Sequence, residues 1–338
     1  MRPVNQMWMG LFRAVPFAAV TATCLIAQTP NDPVVAYSVG TTLTLANASG
    51  EATEQIKLNH PIYGFALSKD RRNLITVTPA TEHGGQLALL NLRTHIETRL
   101  THGRMYFKHL EKGETEVYSD PQFSPDGHSI VFGVHGNLPG DGNDAYENSG
   151  PVAIMDLRGH FIKILKSTTD IDGQGECSES DPMWSPDGKW ILFNCEDGAF
   201  ITDIQGKTLR NLKLEPEGDW GTGAVSWVGN GCVLYTRTPQ LQGSWNHDGD
   251  ELRLLNLHTN KAEDAKRLMN LPNLKISGLI EASDRALIRQ SNSGDELFIE
   301  TSKKMWEFPN AQALRTTNGA SAHVIGGWSS NIEPRECE

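Results

Sequence analysis

The chain has no Cys-x-x-Cys pair, no His-Glu-x-x-His and no glycine-rich phosphate loop. Those absences remove the common short signatures of thiol redox chemistry, zinc hydrolysis and nucleotide cleavage. A serine-nucleophile elbow is missing too: the nearest string, Gly319-Ala-Ser-Ala-His323, lacks the final glycine. Positive charge is scarce, with 30 Lys and Arg against 41 Asp and Glu, a formal net of −11. Phosphate binding needs a basic patch, so nucleic acid is not an expected partner. An acidic surface otherwise reads as plain solubility.

Long apolar runs are equally rare. One lies near the start, Val15-Pro-Phe-Ala-Ala-Val-Thr-Ala-Thr-Cys-Leu-Ile-Ala27, behind Arg2 and Arg13. It is too short for a comfortable membrane span and reads as an export signal, residues 1–27, cleaved after Ala27. An uncleaved anchor is the alternative, and the sole expected route to a membrane. Loss of Arg2 and Arg13 moves the formal charge from −11 to −13. About 310 residues then remain, ample for one well-cored domain.

Cysteines are few. Cys24 leaves with the signal, and Cys177, Cys195, Cys232 and Cys337 stay, a usage that fits an oxidising compartment. If Ser185 pairs with Gly188 across its turn, the residue opposite Cys195 is 178, so Cys177 comes within one position of facing Cys195. A cross-strand disulfide and two buried thiols are the competing readings, since a bulge shifts register. Cys337, in the polar tail 331–338, is expected to be free.

What the chain does have is repetition. Asp120-Pro-Gln-Phe-Ser-Pro-Asp-Gly127 and Asp181-Pro-Met-Trp-Ser-Pro-Asp-Gly188 match, and each leads into an apolar run, Ile130-Val-Phe132 or Ile191-Leu-Phe193. Ser-Pro-Asp-Gly suits a hairpin: serine accepts a backbone N–H, proline presets φ, and glycine takes the left-handed conformation. A weaker copy is Ser68-Lys-Asp-Arg71. A second element, a short apolar strand ending in a small polar residue, starts at Leu43, Leu87, Val152, Ala199, Leu252 and Leu297. The six starts are spaced by 44, 65, 47, 53 and 45 residues. Four antiparallel strands of a propeller blade take about 40–50 residues, so an all-β propeller of six four-stranded blades is expected over 34–330. Val34-Val-Ala-Tyr37 precedes the first unit and Ala322-His-Val-Ile325 follows the last. One blade is therefore expected to join strands from both chain ends and shut the ring.

Ser-Pro-Asp-Gly after an aromatic residue, then an apolar strand, then the Asp/Asn-ended strand, resembles the WD-like repeat of TolB-type propellers. The likeness spans about Val34 to Ser330 and is most specific at 118–157 and 178–204. It implies the propeller alone, since no stretch before Val34 has room for the α/β domain that precedes it in TolB. The same repeat occurs in the propeller domains of prolyl-oligopeptidase-like enzymes, so it implies a fold more firmly than a task.

Candidate sites lie where the repeats differ. Asp170, Asp172, Gln174 and Glu176 alternate oxygen donors as a calcium loop does, although a solvated connection explains them equally. No other cofactor is indicated. The insertion 134–150 offers Asp141, Asp144, Tyr146 and Glu147 to a cation, sugar or peptide; a merely flexible Gly/Asn-rich loop is the alternative. The excursion 238–249 offers Trp245 and His247 for stacking and hydrogen bonding. Asp120 and Asp181 hold equivalent places on innermost strands, where they either meet a ligand or cap backbone N–H groups. The expected function is that of an exported, monomeric, non-enzymatic propeller binding a protein, peptide or glycan at one face. A lyase or hydrolase acting on carbohydrate or peptide through channel-mouth carboxylates, with or without calcium, is the alternative.

Overall fold

The computed structural model describes residues 33–39, 41–47, 52–61, 64–68, 70–81, 84–103, 115–137, 148–165, 180–195, 198–214, 220–241, 244–245, 251–265, 279–282, 286–291, 294–299, 304–307, 321–324 and 337. Every regular element among them is a strand, and the strands run in antiparallel sets of four. β1 (Pro33–Val39), β2 (Thr42–Asn47) and β3 (Ala52–Lys57) form one set, completed by the last of the described strands, β25 (Ser321–Val324), which pairs with β1. This sheet joins the two chain ends, as the orphan strands at either end predict.

β4 (Gly64–Leu67), β5 (Asn73–Thr81), β6 (Gly84–Asn91) and β7 (Ile96–Arg99) form the next meander. β8 (Thr115–Phe123), β9 (Ser129–Asn137), β10 (Asn148–Asp156) and β11 (Phe161–Ile164) follow, linked to it by one pairing, Gly85 with Tyr118. Then come β12 (Ser180–Trp184), β13 (Trp190–Cys195), β14 (Gly198–Asp203) and β15 (Leu209–Asn211). β16 (Trp220–Val228) and β17 (Cys232–Leu241) pair, and β17 goes on to β19 (Glu251–Asn256) and β20 (Lys261–Asp264). β18 (Ser244–Trp245) pairs only with the end of β17, so the excursion at 238–249 begins as a hairpin extension of that strand. β21 (Leu279–Ala282), β22 (Ala286–Ser291), β23 (Gly294–Ile299) and β24 (Lys304–Glu307) complete the series. The Asp/Asn-ended repeats fall on β2, β6, β10, β14, β19 and β23, each the third strand from the first edge of its set.

The first-edge strands neighbour one another: β4 lies beside β8 and β25, β8 beside β12, and β16 and β25 each beside β21. They are the innermost strands of a propeller. Its core is distributed between sheets rather than gathered in one place. On β9, Ile130, Phe132 and Val134 pack toward Ile75, Val77 and Leu87 of the preceding sheet. Val131, between them, packs toward Ile191 and Phe193 of the following one. On β13 the same alternation sends Leu192 toward Val225, Trp227 and Val233. A strand buried on both faces must be apolar at every position, which is why these repeats carry continuous runs rather than alternating ones.

The Ser-x-Asp turns are built alike. Ser124 Oγ donates to Asp126 Oδ1 (2.6 Å) and accepts the Ser129 N–H (3.0 Å), while Asp126 accepts the His128 N–H (3.0 Å). Ser185 with Asp187 and Ser68 with Asp70 repeat the arrangement at 2.7 Å each. The loop is longer than a Ser185–Gly188 pairing supposes. Gly188 N–H bonds back to Ser185 O inside it, and Ser185 N–H reaches Trp190 O (2.8 Å). Together with a bulge between Ser180 and Met183, this replaces the register from which residue 178 was placed opposite Cys195. Cys177 lies outside the described residues, and with it the Cys177–Cys195 pairing.

Cys337 is not free. It forms a disulfide with Cys232, 105 residues away, at the start of β17. The tail comes close because the β16–β17 turn offers glycine where it lands. Gly231 N–H donates to Cys337 O (2.9 Å), and a Cβ on Gly229 would stand 2.5 Å from that same oxygen. The residue expected to be free is thus bonded, and it is almost fully buried.

Candidate functional site

The innermost hairpin β8–β9 concentrates polar groups in a position that packing alone does not require. Its strands slip register between Ser119 and Gln122, leaving Asp120 and Pro121 as a bulge. Asp120 is half-buried and takes φ +49°, the left-handed region that a side chain seldom adopts. The neighbouring innermost strand β12 slips at the matching place, between Ser180 and Met183, around Asp181 and Pro182. Bulges recur on β16 between Thr222 and Val225 and on β21 between Leu279 and Glu281. Bulges re-aim side chains, and they are common beside binding sites. Asp181 has its backbone in β12, and its side chain is not described.

One residue before the bulge, Ser119 Oγ lies 2.8 Å from His135 Nε2. The two are diagonal neighbours on one face of the hairpin, since Val117 pairs with His135 and Ser119 with Gly133. On the other face the fully buried Tyr118 donates its hydroxyl to the fully buried Glu116 carboxylate. Glu116 O accepts the Gln86 side-chain amide (2.7 Å), and Gln86 Oε1 accepts the Thr101 hydroxyl (3.0 Å). That chain ties β8 to the preceding sheet, so the Glu116 face is held while the Ser119–Asp120 face adjoins the β8–β12 junction.

Of the other predicted residues, Asp141, Asp144, Tyr146, Glu147, His247, Asp170, Asp172, Gln174 and Glu176 lie outside the described residues. Trp245 stands on β18 with its backbone paired to Gln240, and its side chain is not described. Among the described residues no three His, Cys, Asp or Glu side chains cluster as a metal would require. The expected calcium loop is not among them.

A groove that sequence reasoning missed lies at His60, in the connection from β3 to β4. The ring places Nε2 2.7 Å from Glu97 Oε1 and Nδ1 3.0 Å from Pro61 O. Both partners are oxygen acceptors, an arrangement that favours the protonated ring. Burial pulls its pKa down, but the Pro61 carbonyl and Glu97 more than offset this, and the net direction is up. Beside the pair runs a groove of about 500 Å³ bordered by Thr78, Gln86 and Arg99. No local motif marks it, because His60 and Glu97 are 37 residues apart and meet only when two sheets pack.

No known family profile matches the sequence, and no curated protein matches it. Solved structures do. TolB from Acinetobacter baumannii superposes with a TM-score of 0.52 at 16% identity, over 82% of this chain and 63% of that one. The chain thus spans less than two thirds of that TolB. A nidogen/laminin complex gives 0.51 at 8% identity over 81% of this chain and 92% of that one. An oligogalacturonate lyase in complex with manganese gives 0.52 at 15% identity over 78% and 69%. At such identities the likeness shows the fold alone, a β-propeller.

Proposed function

We propose that this chain is an exported six-bladed propeller that binds a protein, peptide or glycan partner at the ring face carrying the Asp120 bulge. The observation that carries this reading is Asp120 itself, a half-buried carboxylate in left-handed backbone on an innermost strand. Asp181 occupies the matching bulge on the strand beside it. Backbone held in a sparsely populated region away from any tight turn points to use rather than folding. Two carboxylates at matched places on adjacent strands suit a basic or multiply hydroxylated group. The Cys232–Cys337 disulfide supports export, because such bonds persist in oxidising compartments. Among propellers of this shape, one was solved in a nidogen/laminin complex, which supports a protein as partner.

The test is capture from an envelope extract by the immobilised protein and by its D120N/D181N variant. A partner retained by the former and lost by the latter is expected. Recovery of the same partner by both would overturn the assignment of the face. A second reading, a lyase or hydrolase, draws on the Ser119–His135 contact and on the oligogalacturonate lyase of like fold. Turnover of an acidic polysaccharide or a peptide that Ser119→Ala or His135→Gln abolishes would favour it over the first.

A further inference from the structure

Between the outer end of the β12–β15 sheet and the face of the β16–β20 sheet lies a cup of about 200 Å³. Its apolar wall is Leu212, Leu214 and Leu255, and its polar side is Lys213, Arg237 and Arg253. Leu212 and Leu214 are nearly fully buried, yet Lys213 between them is exposed and takes φ +49°. The Asn211 side chain accepts the Lys213 N–H (2.7 Å) and supports that conformation.

The two arginines differ in their neighbours. Arg237 closes on Glu251 Oε2 with Nε at 2.7 Å and Nη2 at 2.5 Å, a charge-assisted pair. The same oxygen is 3.8 Å from Arg253 Nη1, beyond a hydrogen bond. Arg253 Nη2 donates to Ala262 O (3.0 Å), and Asp264 stands opposite Arg253 on the exposed outer strand. The guanidinium also interacts with the Tyr235 side chain, while Arg253 Nε is shielded from solvent and makes no hydrogen bond of ordinary geometry among the described residues. A shielded donor on a charged group without an acceptor is costly and rare in native proteins. Here it belongs to a residue that lines an open cup.

We propose that the cup binds a carboxylate carried on a short branched apolar stem. The acid oxygens meet Arg253 and Lys213, and the stem lies on the three leucines. The volume fits: a cavity of about 150 Å³ holds benzene, so about 200 Å³ holds a stem of six or so heavy atoms. The guanidinium suits a carboxylate, which accepts from a planar fork in a way a single hydroxyl does not. Such a group comes either from a free small acid or from the C-terminal residue of a peptide ending in leucine.

Calorimetric titration of the whole protein separates the cases. 4-Methylpentanoate probes the free acid, Gly-Gly-Leu the peptide end, and Gly-Gly-Leu amide removes the charge. Binding of either acid, at least tenfold tighter than the amide and weakened by salt, is expected, and the tighter acid identifies the source. Lys213→Glu, on an exposed side chain, should weaken it about tenfold without unfolding the protein, and Arg253→Met should abolish it. Equal affinity for acid and amide, no binding of either acid, or unchanged affinity in Lys213→Glu overturns the proposal. None of these outcomes bears on the Asp120 face, which the D120N/D181N capture tests separately.

Discussion

Ser185 has no exposed surface, yet its hydroxyl serves three partners: it accepts the Trp190 N–H (3.0 Å) and the Lys189 N–H (3.2 Å) and donates to Asp187 (2.7 Å). Removing it strands a half-buried N–H and frees a carboxylate. Ser185→Ala should therefore cost about 1–3 kcal/mol in urea unfolding. The aspartates of these turns contribute to the acid response, as do Asp156 and Asp203, which are also held below the usual carboxylate range. Hydrogen bonds from Ser68 and Arg72 hold Asp70 below the usual carboxylate range, and those from Ser124 and His128 do the same for Asp126. Burial pushes Asp187 up, but Lys189 and Ser185 outweigh it, and its net direction is also down. A carboxylate depressed in the folded state contributes stability that is complete at neutral pH. That contribution declines as pH falls below about 4 and is gone below the depressed values. Thermal melts should fall more steeply from pH 5 to pH 2 for the native chain than for D70N/D126N/D187N; parallel curves would refute this. At this scale the sequence was open to reading, because a Ser-x-Asp turn is local and its partners are within five residues. His60 was not, since its partner Glu97 is supplied by another sheet.

At the level of the strand and turn, glycines with φ above zero separate two costs. Gly127 has φ +72° and nothing within 4 Å of an added Cβ, so Gly127→Ala meets only the backbone preference. Gly159 has φ +85°, and its Cβ would stand 2.8 Å from Leu100 O, where the β10–β11 turn packs on the chain leaving β7. Gly159→Ala should lose about 1–3 kcal/mol more than Gly127→Ala by chemical denaturation, as the turn must lift off its neighbour. Apolar runs such as Ile130–Phe132 and the Asp/Asn-ended strands were legible because they follow strand period and turn chemistry. The end residues act as turn caps: Asn91 accepts the Arg93 and Thr94 N–H groups, and Asp203 those of Gln205 and Thr208. The bulges at Asp120–Pro121 and Asp181–Pro182 were hidden. Each depends on how many residues the facing strand presents, which no single segment records.

For the molecule as a whole, closure rests on two devices of different character. Pairing of β25 with β1 is non-covalent and was foreshadowed by the unmatched strands at the ends. The Cys232–Cys337 bond is covalent, and nothing near Cys337 announces it, because its counterpart is far along the chain beside two glycines. In the chain-entropy account a loop of this size contributes about 4–5 kcal/mol. Cys337→Ser should lower the denaturation midpoint accordingly, and a reductant should lower the native chain but leave the variant unmoved. An equal response of both would show that the bond adds nothing to the fold.

The same bond decides where mechanical load enters the protein. A tether fixed beyond Cys337 does not peel β25 from β1, because tension passes through the sulfur bridge into the β16–β17 turn. The segment from β19 to β25 is shielded as a slack covalent loop. Pulled from its two ends, the native chain should yield first between residue 33 and Cys232. It should show a contour-length gain shorter by the 105 bridged residues until the bridge is reduced.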